Sequence, residues 1–115
     1  MPITRVDPTL PLPSYATEGS AGFDLIIRTT TTVEAGGMAR LPANVIVDTP
    51  PGHMLLIAVR SSTPRRTGLR LANGVGIVDQ DYAGPDDEIH IEVWNPTSAP
   101  VVLSLIHICR CRRAI

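Results

Sequence analysis

Hydrophobic and polar positions along this chain change over in short stretches, and the dominant period is two. The segment DEIHIEVWN (87–95) alternates strictly, with Ile89, Ile91 and Val93 on one side and Glu88, His90, Glu92 and Trp94 on the other, which predicts a half-buried strand. HMLLIAVR (53–60) is a near-continuous apolar run, the pattern of a strand covered on both faces. FDLIIRTTTTVEAGG (23–37) is rich in β-branched residues and closes on Gly36-Gly37, and NVIVDTPPGH (44–53) alternates before turning at Pro50-Pro51-Gly52. Turn signals recur roughly every 10 residues, as in an all-β sandwich or barrel. One helix is predicted, a short one near 61–68 in SSTPRRTG: Ser61 or Ser62 to cap it, Pro64 in its first turn, Gly68 to end it.

Composition narrows this picture. With 115 residues the chain has room for one core, and 43% hydrophobic and 18% charged residues are a globular balance. Eleven prolines and nine glycines disfavour long helices. No apolar run approaches the roughly 20 residues of a membrane span, and the N-terminus has no charged-then-apolar leader pattern. The expectation is a soluble, cytoplasmic protein without a membrane partner. All ten basic residues are arginine, and three of them (Arg110, Arg112, Arg113) lie in the last six positions. Before residue 103, seven arginines face all eleven acids, a net charge of −4. An acidic body argues against a nucleic-acid partner. A small anionic ligand would need locally concentrated arginine or a metal ion.

The end of the chain departs from the rest. LSLIHICRCRR (103–113) can be read as an edge strand, Val101 to Ile108, with a basic end. Its two cysteines, Cys109 and Cys111, cannot complete a tetrahedral zinc site, and His107 is too close to Cys109 for the usual spacing. The segment resembles the translation of a transposase-end sequencing adapter, matching it from Leu103 to Arg113 except where Cys109 stands at a stop codon. The expectation is therefore a domain over 1–102, a non-native tail over 103–115, and a natural chain that continues differently after Val102.

Three segments of the body carry candidate chemistry. In GSAGFDL, Asp24 follows a small-residue turn at a strand entrance, where an aspartate is more often a turn residue than a functional one. In VRSS, a strand delivers Arg60, Ser61 and Ser62 to the start of the expected helix. A guanidinium, hydroxyls and free backbone N–H groups together favour a phosphate. In NGVGIVDQDYAG (73–84), Asp79, Asp81 and Tyr82 end a glycine-broken apolar run, and Tyr82 is one of only four aromatic residues. Each segment alone has a plain structural explanation.

Together and in this order, LPLPSYATEGSAGFDL, VRSS and LANGVGIVDQDYAG resemble the first three motifs of the trimeric dUTP diphosphatases (dUTPases), and LPANVIVDTPPGH is similar to their connecting strand and turn. The likeness runs from about Leu10 to Pro100. Ser62, where many members have glycine, and GPDDE, longer than the usual turn, are departures. The resemblance implies a distorted jelly-roll barrel of the β-clip type. It also implies hydrolysis of dUTP to dUMP and pyrophosphate, by water attack on the α-phosphorus with Mg²⁺ held across the phosphates. Such an activity limits uracil entry into DNA and supplies dUMP for dTTP synthesis.

By the same resemblance, Asp79 is the catalytic, water-activating carboxylate and meets the deoxyribose 3′-hydroxyl. Asn73 recognises uracil, and Gly76, Ile77 and Val78 belong to a tight hairpin whose backbone reads the base edges, with Gly74 and Gly76 allowing close approach. Tyr82 packs beneath the deoxyribose and excludes a 2′-hydroxyl. Arg60, Ser61 and Ser62 bind phosphate. Asp24 acts at the Mg²⁺–phosphate end indirectly, through water or by fixing an arginine, with no direct protein ligand to the metal. His90 borders the base or is merely a strand-face histidine, and Asp81 is left structural. The family builds its sites at the subunit boundaries of a homotrimer and completes them with fourth and fifth motifs that this sequence lacks, so the chain as it stands is expected to turn over little. The competing readings are a dCTP deaminase of the same fold, whose catalytic glutamate has no counterpart signature here, and a non-catalytic regulatory protein, against which Asp24, Arg60, Asp79 and Tyr82 all stand.

Overall fold

The computed structural model describes residues 2–104 and 107–114, the last eight through their strand pairing alone. Eleven short strands and one helix follow in order: β1 (Ile3–Arg5), β2 (Phe23–Ile26), β3 (Thr31–Val33), β4 (Met38–Pro42), β5 (Val45–Val47), β6 (Met54–Val59), α1 (Thr63–Thr67), β7 (Arg70–Leu71), β8 (Gly76–Val78), β9 (His90–Trp94), β10 (Val101–Leu103) and β11 (His107–Ala114). They pair antiparallel in sheets ordered β2-β11-β6-β8, β4-β9-β7, β1-β5 and β10-β3. The all-β expectation holds. No helix among the described residues is long and apolar enough to cross a membrane.

The alternation in the sequence becomes the core. Ile89, Ile91 and Val93 are buried, as are Leu55 and Ile57 of β6, and they pack with Leu25, Ile27, Leu41 and Leu69. Each such side chain withdrawn from water contributes about 1.5–3 kcal/mol. Strand β6 is apolar throughout but only alternately buried, with Leu56 and Ala58 half-buried on its second face. The segment 23–37 splits into β2 and β3, because the chain bends at Arg28–Thr30 where the Arg28 amide donates to Pro42 O at 3.0 Å.

The helix is a single turn, with Ser62 at its N-cap position, Pro64 in its first turn and Gly68 ending it in left-handed conformation. Ser62 makes no side-chain capping bond; the Thr63 amide instead donates to Arg60 O at 3.0 Å. The tail is hydrogen-bonded into a sheet rather than left outside it. Strand β11 lies between β2 and β6, opposite Phe23–Ile26 and Met54–Val59. The side chains of His107, Cys109, Cys111 and the terminal arginines lie outside the described residues.

Candidate active site

The turn after β7 places the central motif. The Ala72 amide donates to Glu92 O (2.9 Å), Gly74 N–H to Leu71 O (3.1 Å) and Val75 N–H to Asn73 O (2.9 Å), winding the backbone tightly with Gly74 at φ +76°. Beyond the turn, β8 runs along β6 with Gly76 opposite Ile57. A Cβ on Gly76 would lie 3.2 Å from the Ile57 Cβ, so the absent side chain lets two strands close.

One expectation is corrected here. The segment is not a hairpin, since β7 pairs with β9 and β8 with β6. It is a corner between two sheets, which buries Leu71 beside Val93 while carrying β8 across to β6. Gly76, expected to allow close approach of a base, has its absent side chain toward Ile57, next to Ile77 of the cavity described below.

That cavity, about 290 Å³, is bounded by Asn73, Ile77, Val78 and Asp79 from the corner and by Tyr82, with Ile89, His90, Glu92 and Arg40 along the β4–β9 side. Asp79 is exposed, and its carbonyl accepts from the Tyr82 amide at 3.1 Å in a turn that brings the phenol back over the cavity. The Tyr82 hydroxyl donates to Glu88 O at 2.9 Å. The His90 Nδ1 lies 2.9 Å from the same carbonyl; because a carbonyl only accepts, this contact selects the tautomer with the proton on Nδ1. Arg40 and Glu92 face each other across β4 and β9 at 3.8 Å, both exposed. On the other side of Asp79, a shallow groove is shared with Gly52, His53, Met54, Gln80 and Asp81. There the Gly52 amide donates to Gln80 Oε1 at 3.0 Å.

Behind Tyr82 and His90 is a charge pair that sequence reasoning missed, buried at Glu88 and half-buried at Arg28. Glu88 accepts from Arg28 Nε at 2.7 Å and Nη2 at 2.9 Å, and from the Asn44 amide at 2.9 Å. Burial alone would push the Glu88 carboxyl up, but the Arg28 and Asn44 hydrogen bonds and the Arg28 and His90 charges outweigh it and hold the carboxyl below its ordinary value. Glu88 was read as an outward position of an alternating strand; its carboxylate turns inward because Arg28, 60 residues away in sequence, meets it there. Arg40 was also missed, having no motif around it.

The remaining predicted residues lie elsewhere. Arg60 leaves the end of β6, half-buried, with Nη1 3.5 Å from the Asp24 carboxylate, which is itself buried on β2. Ser61 is exposed and Ser62 half-buried in the turn that follows. None of Asp24, Arg60, Ser61 and Ser62 touches the cavity that holds Asp79. Of the predicted residues, Asn73, Ile77, Val78, Asp79, Tyr82 and His90 thus converge, and the phosphate group of residues stands apart with Asp24.

This arrangement has known counterparts. A family profile described as dUTPase matches residues 9–109. The deoxyuridine 5′-triphosphate nucleotidohydrolase of Shewanella oneidensis is 38% identical over 105 residues, covering 89% of this chain and 67% of the relative. That of Haemophilus ducreyi is 36% identical over 104 residues, covering 88% and 66%. Among solved structures, the dUTPase from Streptococcus mutans superposes with a TM-score of 0.89 at 31% identity, covering 96% of this chain and 92% of that one. The Staphylococcus bacteriophage 80alpha dUTPase superposes at 0.87 and 17% identity, covering 99% and 89%, and so shares the fold. The fold is the jelly-roll β-clip of these proteins, and with most of its length matched the chain belongs to the dUTPase family.

Proposed function

We propose that the protein hydrolyses dUTP to dUMP and pyrophosphate, with the Asn73–Tyr82 cavity taking the deoxyuridine and Asp79 activating the water. The observation that carries this is the convergence of Asn73, Asp79 and Tyr82 on one cavity, in a member of a family whose relatives are named for that reaction. An amide at the cavity wall offers a donor and an acceptor, the pair needed to accept uracil and refuse cytosine. The exposed Asp79 carboxylate can orient a water and take its proton. The Tyr82 ring, tethered at its hydroxyl, offers a flat wall to a sugar.

Arg60, with Ser61 and Ser62, is the phosphate-binding group in this reading. Asp24 holds that guanidinium from the side, which fits an indirect role for Asp24 and leaves Mg²⁺ to be carried by phosphate oxygens and water, the ligands it prefers. The metal would neutralise charge developing on the phosphates. Because the phosphate group lies outside the Asp79 cavity, the reading takes the working site as shared between copies, as in a homotrimer. It also takes residues 103–115 as a foreign tail, of which 107–114 occupy the place between β2 and β6 where a native strand would run.

The test is pyrophosphate release by the protein carrying its natural continuation after Val102. With Mg²⁺ and dUTP it should turn over, and Asp79→Asn should lower the rate by about 10²–10⁴-fold while dUTP still binds. Retained turnover in Asp79→Asn would remove the role given to that carboxylate. The chain ending in the adapter-like tail should release little pyrophosphate, and near-normal release would refute the need for the missing motifs.

A further inference from the structure

The Glu88 carbonyl oxygen is the common attachment of the two rings on the cavity wall. It accepts from the Tyr82 hydroxyl and the His90 Nδ1–H, each at 2.9 Å, which uses both of its lone pairs. The same residue's carboxylate is buried and accepts three more bonds, two from Arg28 and one from the Asn44 amide. Asn44 in turn holds the N-terminal segment: its Oδ1 accepts from the Asp7 amide at 2.6 Å, and its Nδ2 donates to Asp7 O at 3.2 Å. Asn44 itself sits at φ +70° between β4 and β5.

A buried carboxylate reached by a half-buried guanidinium is a poor way merely to fill a core, since taking its charge out of water is costly. What the bidentate Arg28–Glu88 pair offers instead is direction: planar guanidinium and carboxylate lock in one orientation, and the main chain of Glu88 is locked with them. We propose that Glu88, held by Arg28 and Asn44, is a positioning residue for the nucleotide cavity, fixing the carbonyl from which the Tyr82 and His90 rings take their orientation. It touches no substrate; it sets the wall that would tell deoxyribose from ribose. The nucleotide part rests on the dUTP reading, whereas the ring-orientation part does not.

The experiment separates the two. The chain has two tyrosines, Tyr15 and Tyr82; Tyr15 is 59% exposed and serves as the internal reference in a fluorotyrosine-labelled sample. In Glu88→Gln the fluorine signal of Tyr82 should broaden or move toward that of Tyr15, which should stay fixed, and Glu88→Asp, which keeps the charge, should show the same change more weakly. Titration with dUMP and UMP gives the second arm: the preference for dUMP should fall by about 3- to 10-fold in Glu88→Gln, the worth of one neutral hydrogen bond, and in the same direction in Tyr82→Phe. A role in stability alone lowers the melting temperature but leaves the preference of the folded molecules and the Tyr82 signal unchanged; that result in both variants overturns the proposal. If the Tyr82 signal moves but the unsubstituted chain binds neither nucleotide, the positioning of the rings stands and the dUTP reading fails.

Discussion

The two groups of candidate residues are built differently. The Asp79 cavity lies where two sheets meet at a corner, and its rings are tied through Glu88 to the Arg28 ion pair and to the N-terminal segment. The Arg60–Ser62 group hangs on the end of one strand, with an ion pair to Asp24 and a one-turn helix behind it. One is a preorganised wall within a single chain; the other is a set of donors with no wall of its own. A preorganised pocket can select a ligand before any neighbour arrives, while donors on a strand end act only against a surface brought to them. On the proposed reading, selection of the base and handling of the phosphates are therefore separable in this molecule.

The largest effect should come from the anchor of the first group. Arg28→Met leaves the buried Glu88 carboxylate without its main partner and should cost about 1–3 kcal/mol in urea unfolding, toward the upper end because the acceptor is charged. The double substitution Arg28→Met/Glu88→Met should recover most of that stability. A single-variant loss no larger than that of an exposed pair would show the anchor to be incidental.

A smaller loss is expected at the corner. Gly76→Ala pushes a methyl to 3.2 Å from the Ile57 Cβ and should cost about 1–3 kcal/mol by overpacking. Its midpoint in the same urea experiment measures whether β8 and β6 can part.

Acid should act through the same anchor. Glu88 titrates below its ordinary value of 4.5 in the folded protein, so below that pH the unfolded chain binds more protons and folding weakens. The contribution is fully present above about pH 4.5 and disappears as pH falls through the folded value. The half-buried Asp7, lowered by its hydrogen bonds from Thr9, acts in the same sense. Between pH 5 and pH 3, thermal unfolding of Glu88→Gln should therefore depend less on pH than that of the unsubstituted chain; parallel curves would contradict this.

The second group should barely respond. An N-cap serine ordinarily contributes about 1 kcal/mol, but the Ser62 hydroxyl makes no capping bond here. Ser62→Ala should therefore shift stability by less than about 0.5 kcal/mol, and a full capping loss would contradict this.

Much of this was legible in the sequence wherever the cause is local. Period-two alternation marked the buried Ile89, Ile91 and Val93, and a proline and a glycine at the right spacing marked the helix near 61–68. Asn73, Asp79 and Tyr82 are picked out by their resemblance to a dUTPase motif, and the corner with strand β8 brings all three to one cavity. What was not legible depends on distant partners. Glu88 reads as outward by its neighbours and is buried by Arg28, 60 positions earlier. The 72–75 turn reads as a hairpin because turn chemistry fixes a reversal but not which sheets its two strands join. Arg40 reaches the cavity only through its pairing opposite Glu92.

The most direct test of the central claim is equilibrium binding of dUTP, dCTP and UTP to the Asp79→Asn chain with Mg²⁺, where chemistry cannot obscure recognition. The account predicts measurable binding of dUTP, at least about tenfold weaker binding of UTP and dCTP, and loss of that selectivity in Tyr82→Ala for UTP and in Asn73→Ala for dCTP. Equal binding of all three nucleotides would contradict it.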